Sequence, residues 1–199
     1  MSKNNLFRQL VDAAGTGDRA LVQSLLQQGE DVNAVLKDGF TALMSASTSG
    51  HTDIVKDLLS SGAMVDLRDN RGMTALMMAA SMGRPETVKA LIDWGADVSA
   101  RNESGLVPLA GYTPLMHAAQ SKNTETVKLL IEAGADIEAR EDNGETALMK
   151  ASFLGNTEAL SALLAAGADR KVKDNDNRTA QMIAEEIGQI KIAELLKET

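Results

Sequence analysis

The chain has 199 residues, a net charge of −8 from 20 basic and 28 acidic residues, and no cysteine. Disulfides, thiol catalysis and cysteine-ligated zinc are thereby excluded, and the acidity (pI near 4.8) argues against general binding to nucleic acid or an anionic membrane surface. With 44% apolar residues but only three phenylalanines, one tyrosine and one tryptophan, any core must be built from Ala, Leu, Val, Ile and Met.

In chain order, the first segment, Met1 to Leu10, is polar and lacks the apolar run of a secretory signal. Leu10, Ala13, Ala14 and Gly17 then set a phase that every later unit repeats. Threonines open the next five units at Thr41, Thr74, Thr113, Thr146 and Thr179, at intervals of 33, 39, 33 and 33 residues. Six units follow: 3–35, 36–68, 69–101, 102–140, 141–173 and 174–199.

Two residues before the threonine stands Gly39, Gly72, Gly144 or Asn177, suited to the positive φ of a hairpin tip. The threonine caps a short first helix, with Pro114 at the first helical position of one unit. Asp18, His51, Asn123 and Asn156 are placed to cap a second helix, with Asp53, Glu86, Glu125 and Glu158 in its first turn, where the helix dipole favours negative charge. That helix buries Leu25, Leu58, Leu91, Leu130, Leu163 and Leu196, and ends at Gly29, Gly62, Gly95, Gly134 or Gly167. Met44, Met77, Met116, Met149 and Met182 repeat three residues after the threonine and read as core filling.

The tract Asp38-Gly39-Phe40-Thr41-Ala42-Leu43, with Gly50-His51-Thr52-Asp53-Ile54-Val55-Lys56 and Gly134-Ala135-Asp136-Ile137, resembles the ankyrin repeat. The resemblance spans the chain and implies an all-α solenoid of stacked helix–turn–helix units with short β-hairpin or turn tips. Methionine replaces the histidine often found after Thr-Pro-Leu in that family. The Thr-Ala-Leu-Met variant and the length are similar to those of short bacterial ankyrin proteins. The first unit, lacking the threonine hairpin, reads as an N-terminal cap. The last has Glu185 where interior units carry Ala14, Ser47, Ala80, Ala119 and Ser152, and its end, Lys191 to Thr199, reads as a polar cap.

No nucleophile elbow, P-loop or dinucleotide fingerprint is present, so no cofactor and no catalytic residues are expected. His51 reads as structural. His117 shares its register with Ser45, Met78, Lys150 and Ile183, a variety that suggests a groove surface; no metal site is expected. The acidic pairs Glu141-Asp142 and Asp174 with Asp176 read as solvated hairpin tips.

The resemblance implies partner binding through hairpin tips and the inner face of the first helices. Positions there include Phe40, Met73, Tyr112, Met82, Phe153 and Leu154, with Asp38, Arg71, Asp142 and Glu145 as a polar rim. A six-residue insertion, 106–111, lengthens the fourth hairpin and adds the apolar residues Leu106, Val107 and Leu109. Trp94, just before Gly95, is a further candidate anchor or stacking platform. The expected function is a monomeric, non-enzymatic module binding a protein partner with a basic or mixed face, not nucleic acid or membrane. The alternatives are small-ligand binding with Trp94 or Tyr112 stacking on a ring, and self-association through the apolar concave face. A cytoplasmic location is expected, with leaderless secretion into a host as the other route.

Overall fold

The computed structural model describes residues 3–102, 111–121 and 123–197. Among them are twelve helices and no strands. They pair as α1 (Lys3–Thr16) with α2 (Arg19–Gln27), α3 (Ala42–Ser49) with α4 (Thr52–Ser60), and α5 (Ala75–Ser81) with α6 (Pro85–Asp93). The later pairs are α7 (Pro114–Ala119) with α8 (Thr124–Glu132), α9 (Ala147–Leu154) with α10 (Thr157–Ala165), and α11 (Ala180–Glu186) with α12 (Ile190–Leu196). First helices stack in one row, α1 on α3 through α9 on α11, and second helices in another, α2 on α4 through α10 on α12. This is the all-α solenoid the repeats imply, with turns rather than paired strands at its tips.

The helices begin where the caps stand. Thr41, Thr74, Thr113 and Thr179 accept the backbone N–H three residues on; Thr146 holds the same position without that bond. Asp18, Asn123 and Asn156 cap second helices through their side chains, whereas His51 does not. His51 instead places Nε2 3.1 Å from the Gly15 carbonyl of the preceding unit, so its role is a tie between repeats.

The leucine of each second helix is buried, from Leu25 to Leu196, as are the small residues Ala14, Ser47, Ala80, Ala119 and Ser152 that let neighbouring helices approach. Met44, Met77, Met116 and Met149 fill the space between first helices. Met182 departs from that stripe: it is 46% exposed, because among the described residues no further first helix stacks on α11. The stretch read as a polar cap contains a helix with one buried face. Residues 190–196 form α12, which buries Ile192, Ala193 and Leu196 and leaves Ile190 and Leu195 outward.

Each hairpin is closed by its own backbone. The N–H groups of Leu36, Asp69, Glu141 and Asp174 donate to the carbonyls of Phe40, Met73, Glu145 and Arg178, four residues on. In the fourth unit Asn102 donates to Tyr112, ten residues on, at the same 3.0 Å. The longer fourth hairpin therefore keeps the same closing bond as the others.

Candidate protein-binding groove

The residue four positions after each threonine (Ser45, Met78, His117, Lys150, Ile183) forms a lane along the first-helix row. From Met78 onward the lane is buried. This corrects the expectation that His117 faces an open groove surface. Of the hairpin residues just before each threonine, Phe40, Met73, Tyr112, Glu145 and Arg178, Tyr112 packs on His117, Tyr112 and Glu145 meet Lys150, and Phe40 and Met73 share the cavity lining with Met78.

Tyr112 is 3% exposed. Its backbone N–H donates to Asn102 Oδ1 at 2.6 Å, and its ring lies 5.4 Å, centroid to centroid, from His117. Tyr112 is therefore neither an exposed anchor nor a stacking platform; it is a strut under the groove. His117 Nε2 is buried without a hydrogen-bond partner, and burial pushes the imidazole down to about 4, so it is neutral at physiological pH.

The lane changes chemistry along its length. Toward the N-terminus, Phe40, Met73, Met78, Met82 and His117 line a cavity of about 320 Å³, with Arg71 at its edge. Arg71 donates from Nε and Nη2 to Asp69 Oδ2, so that edge carries a paired charge. Toward the C-terminus the lane is ionic. The Lys150 ammonium lies 4.5 Å from the Tyr112 centroid, donates to Glu145 and stands 3.7 Å from Glu141. Burial opposes its charge, but hydrogen bonding to Glu145 and Tyr112 outweighs this and holds the ammonium above its usual range. Glu145 also faces Arg178, whose guanidinium is within ion-pair reach of Asp174, Asp176 and Glu186 as well.

Two carboxylates read as solvated tips are instead interior. Glu141 and Asp174 are 3% and 5% exposed, while Asp142 and Asp176 point outward. Asp174 Oδ1 accepts the backbone N–H of Asp176 and Arg178, and Glu141 Oε1 accepts that of Glu145. Burial works against the Asp174 charge, but these N–H groups and the Arg178 guanidinium prevail and hold its carboxyl below the usual range. A carboxylate that bonds its own hairpin backbone has part of its burial cost offset, and only the spacing to its own tip signals it.

The model of the family described as "Ankyrin repeats (3 copies)" matches residues 10–102 and 115–199. The chain belongs to the ankyrin repeat family. Curated proteins offer no match. Among solved structures, this ankyrin repeat protein matches a chain of the complex described as the Bd0816 predatory endopeptidase from Bdellovibrio bacteriovorus with immunity protein Bd3460. The identity is 34%, the TM-score 0.84, and the alignment covers 94% of this chain and 95% of that one. In all, 621 chains of solved structures match; so widespread a scaffold does not by itself name a partner.

Of the candidate binding residues in this ankyrin repeat protein, Met82, Phe153 and Leu154 are 52%, 56% and 48% exposed. Phe153 shares its register with Thr48, Ser81 and Gln120, which all border the cavity, so it faces the same groove. Phe40 and Met73 are half-buried in the cavity wall. Trp94, 48% exposed, ends the second helix α6 and is not part of the cavity lining. Leu106, Val107 and Leu109 lie outside the described residues. Among the described residues, no three His, Cys, Asp or Glu side chains are grouped to hold a metal ion, and no helix is long and apolar enough to cross a membrane.

One ladder escaped the sequence reading. Arg68 Nη1 donates to the Arg101 carbonyl at 2.5 Å, Arg101 Nη2 to that of Arg140 at 2.7 Å, and Arg140 Nη2 to that of Lys173 at 2.8 Å. The only sequence signal is a basic residue at one register of four successive units.

Proposed function

We propose that this protein is a non-enzymatic interaction module that holds a partner protein in the groove between its hairpin tips and first helices. The observation that carries the reading is the exposure of Met82, Phe153 and Leu154 on the groove side. Folding gains nothing from apolar side chains left in water, and such clusters mark interfaces. Within that reading, the partner class is an endopeptidase and the action inhibitory. The support is the 34% identity, over nearly the whole chain, to a protein solved in a peptidase–immunity complex.

The test uses two baits: the native protein and the triple variant Met82→Ala, Phe153→Ala, Leu154→Ala, matched by circular dichroism. The expected result is an endopeptidase retained by the native bait alone, its activity falling to a floor at equimolar native protein. Equal retention by both baits would remove the groove as the interface. A retained protein without peptidase activity would remove the inhibitory reading.

A further inference from the structure

The two ends of the groove ask for different side chains. At the N-terminal end, the cavity is walled by the ring of Phe40 and the thioethers of Met73, Met78 and Met82. Rings pack favourably against both thioether sulfur and other rings. Among the described residues lining the cavity, the charged side chain is Arg71, and Asp69 already pairs it. His117 is neutral there and offers no charge to an incoming group.

At the C-terminal end, carboxylates outnumber cations: Glu141, Glu145, Asp174, Asp176 and Glu186 stand against Lys150 and Arg178. Lys150 and the carboxylates of Glu141 and Asp174 are interior, so the outer field is set by Glu145, Asp176 and Glu186 around a single shared guanidinium. The side chains of Asp176 and Glu186 are 76% and 54% exposed and keep acceptor capacity beyond what Arg178 supplies. Phe153 and Leu154 form an apolar step between the two ends.

We propose that the groove receives an extended partner segment in one direction, an aromatic side chain filling the cavity and a basic side chain meeting Glu145, Asp176 and Glu186. This rests on the reading of the concave face as the interface and adds the chemistry and polarity of what it holds. The aromatic group supplies the buried anchor. The basic group supplies selection, since an acidic residue in its place would face like charges.

The methionines make this testable with weak probes. Protein labelled with [13C]methyl methionine is titrated with acetyl-Trp-(Gly)4-Arg-Arg-amide, with the same peptide carrying Glu-Glu for Arg-Arg, and with one carrying Ala for Trp. The expected result is saturable movement of the Met73, Met78 and Met82 resonances by the first peptide. The acidic peptide should bind about tenfold or more weakly at low salt, and the Ala peptide should leave the three methyls in place. In the variant Asp176→Lys, Glu186→Lys the order of the two charged peptides should reverse.

Movement confined to Met182 or to Met64, which is exposed and not part of the cavity lining, or affinities indifferent to charge in both proteins, would overturn the proposal. So would absence of movement at the three cavity methyls up to the solubility limit of the peptides. A partner still captured by the native bait and lost by the groove variant would, in that event, keep the interface and discard only this assignment of the cavity and the acidic end.

Discussion

The ammonium of Lys150 sits 4.5 Å from the centroid of the Tyr112 ring, joining the hairpin of the fourth unit to the first helix of the fifth. The contact is one side of a cage whose other walls are Glu141 and Glu145. Lys150 is therefore a buried charge whose partners are all supplied by two adjacent repeats.

Removing that charge should be costly. Lys150→Met leaves the buried Glu141 carboxylate without its cation, and a loss of about 3–5 kcal/mol is expected in urea unfolding. Because the folded ammonium is held above its usual range, its contribution is complete below the ordinary lysine pKa and fades only as pH rises through the raised value. A native-like midpoint for Lys150→Met would show that the cage adds nothing.

Tyr112 and Phe153 should separate cleanly. Tyr112→Ala opens a cavity beneath the hairpin and should cost about 3–5 kcal/mol of stability. Phe153→Ala removes an exposed ring, so stability should stay within about 0.5 kcal/mol, while partner affinity falls by roughly 1–3 kcal/mol if the ring is an anchor. Thermal melts and one binding isotherm for each variant distinguish the two roles. The opposite assignment would show as a stable Tyr112→Ala and a melted Phe153→Ala.

His117 gives a pH dependence with a defined sign. In the unfolded chain it takes up a proton near 6.5, but in the folded protein only near 4. Between those values the unfolded state binds more protons, so this residue's contribution is present above pH 6.5 and is lost as pH falls toward 4. The loss should total about 3 kcal/mol. His117→Leu removes both the titration and the unpartnered Nε2. It should flatten the slope in that window and raise stability at pH 7 by about 1 kcal/mol. Chemical denaturation at a series of pH values reads both effects, and an unchanged slope in the variant would assign the dependence to other groups.

Two glycines differ in why they are glycine. At Gly29, φ is +84° and an added Cβ would meet nothing within 4 Å, so Gly29→Ala should cost only the left-handed strain of about 1–2 kcal/mol. At Gly39, φ is +81° and the Cβ would also lie 2.9 Å from the Asp69 Cα, backbone that cannot swing aside. Gly39→Ala should therefore cost clearly more. Equal melting temperatures for the two variants would mean that adjacent hairpins separate without penalty.

The solenoid was legible because its determinants recur. A cap threonine, a small contact residue and a buried leucine repeat in register, and stacking dictates each of them. The groove lane was not legible, because each member is packed by a different set of hairpin residues from its own and the preceding unit. His117 under Tyr112, Lys150 beside Glu145 and Met78 at the cavity are separate solutions, so in the sequence the variety at this register reads as exposure. The burial of Glu141 and Asp174 is hidden in the sequence for a related reason: a charged residue in a tip reads as solvated unless its bonds to its own backbone are visible. Phe153, Leu154 and Met82 stand out in the sequence because no register in the array requires them to be apolar, and all three are about half exposed.

The arginine ladder carries a consequence for how the array comes apart. Each guanidinium reaches forward to a carbonyl of the following unit, so an interior unit such as the one containing Arg101 is tied by a rung arriving from Arg68 and another leaving toward Arg140. Opening the middle severs links on both sides, whereas peeling an end severs at most one. Val35, at the same register of the first unit, has no guanidinium to give. Amide exchange should accordingly be slowest in the central pairs and quicken outward, as in a zipper that can be undone only from its ends.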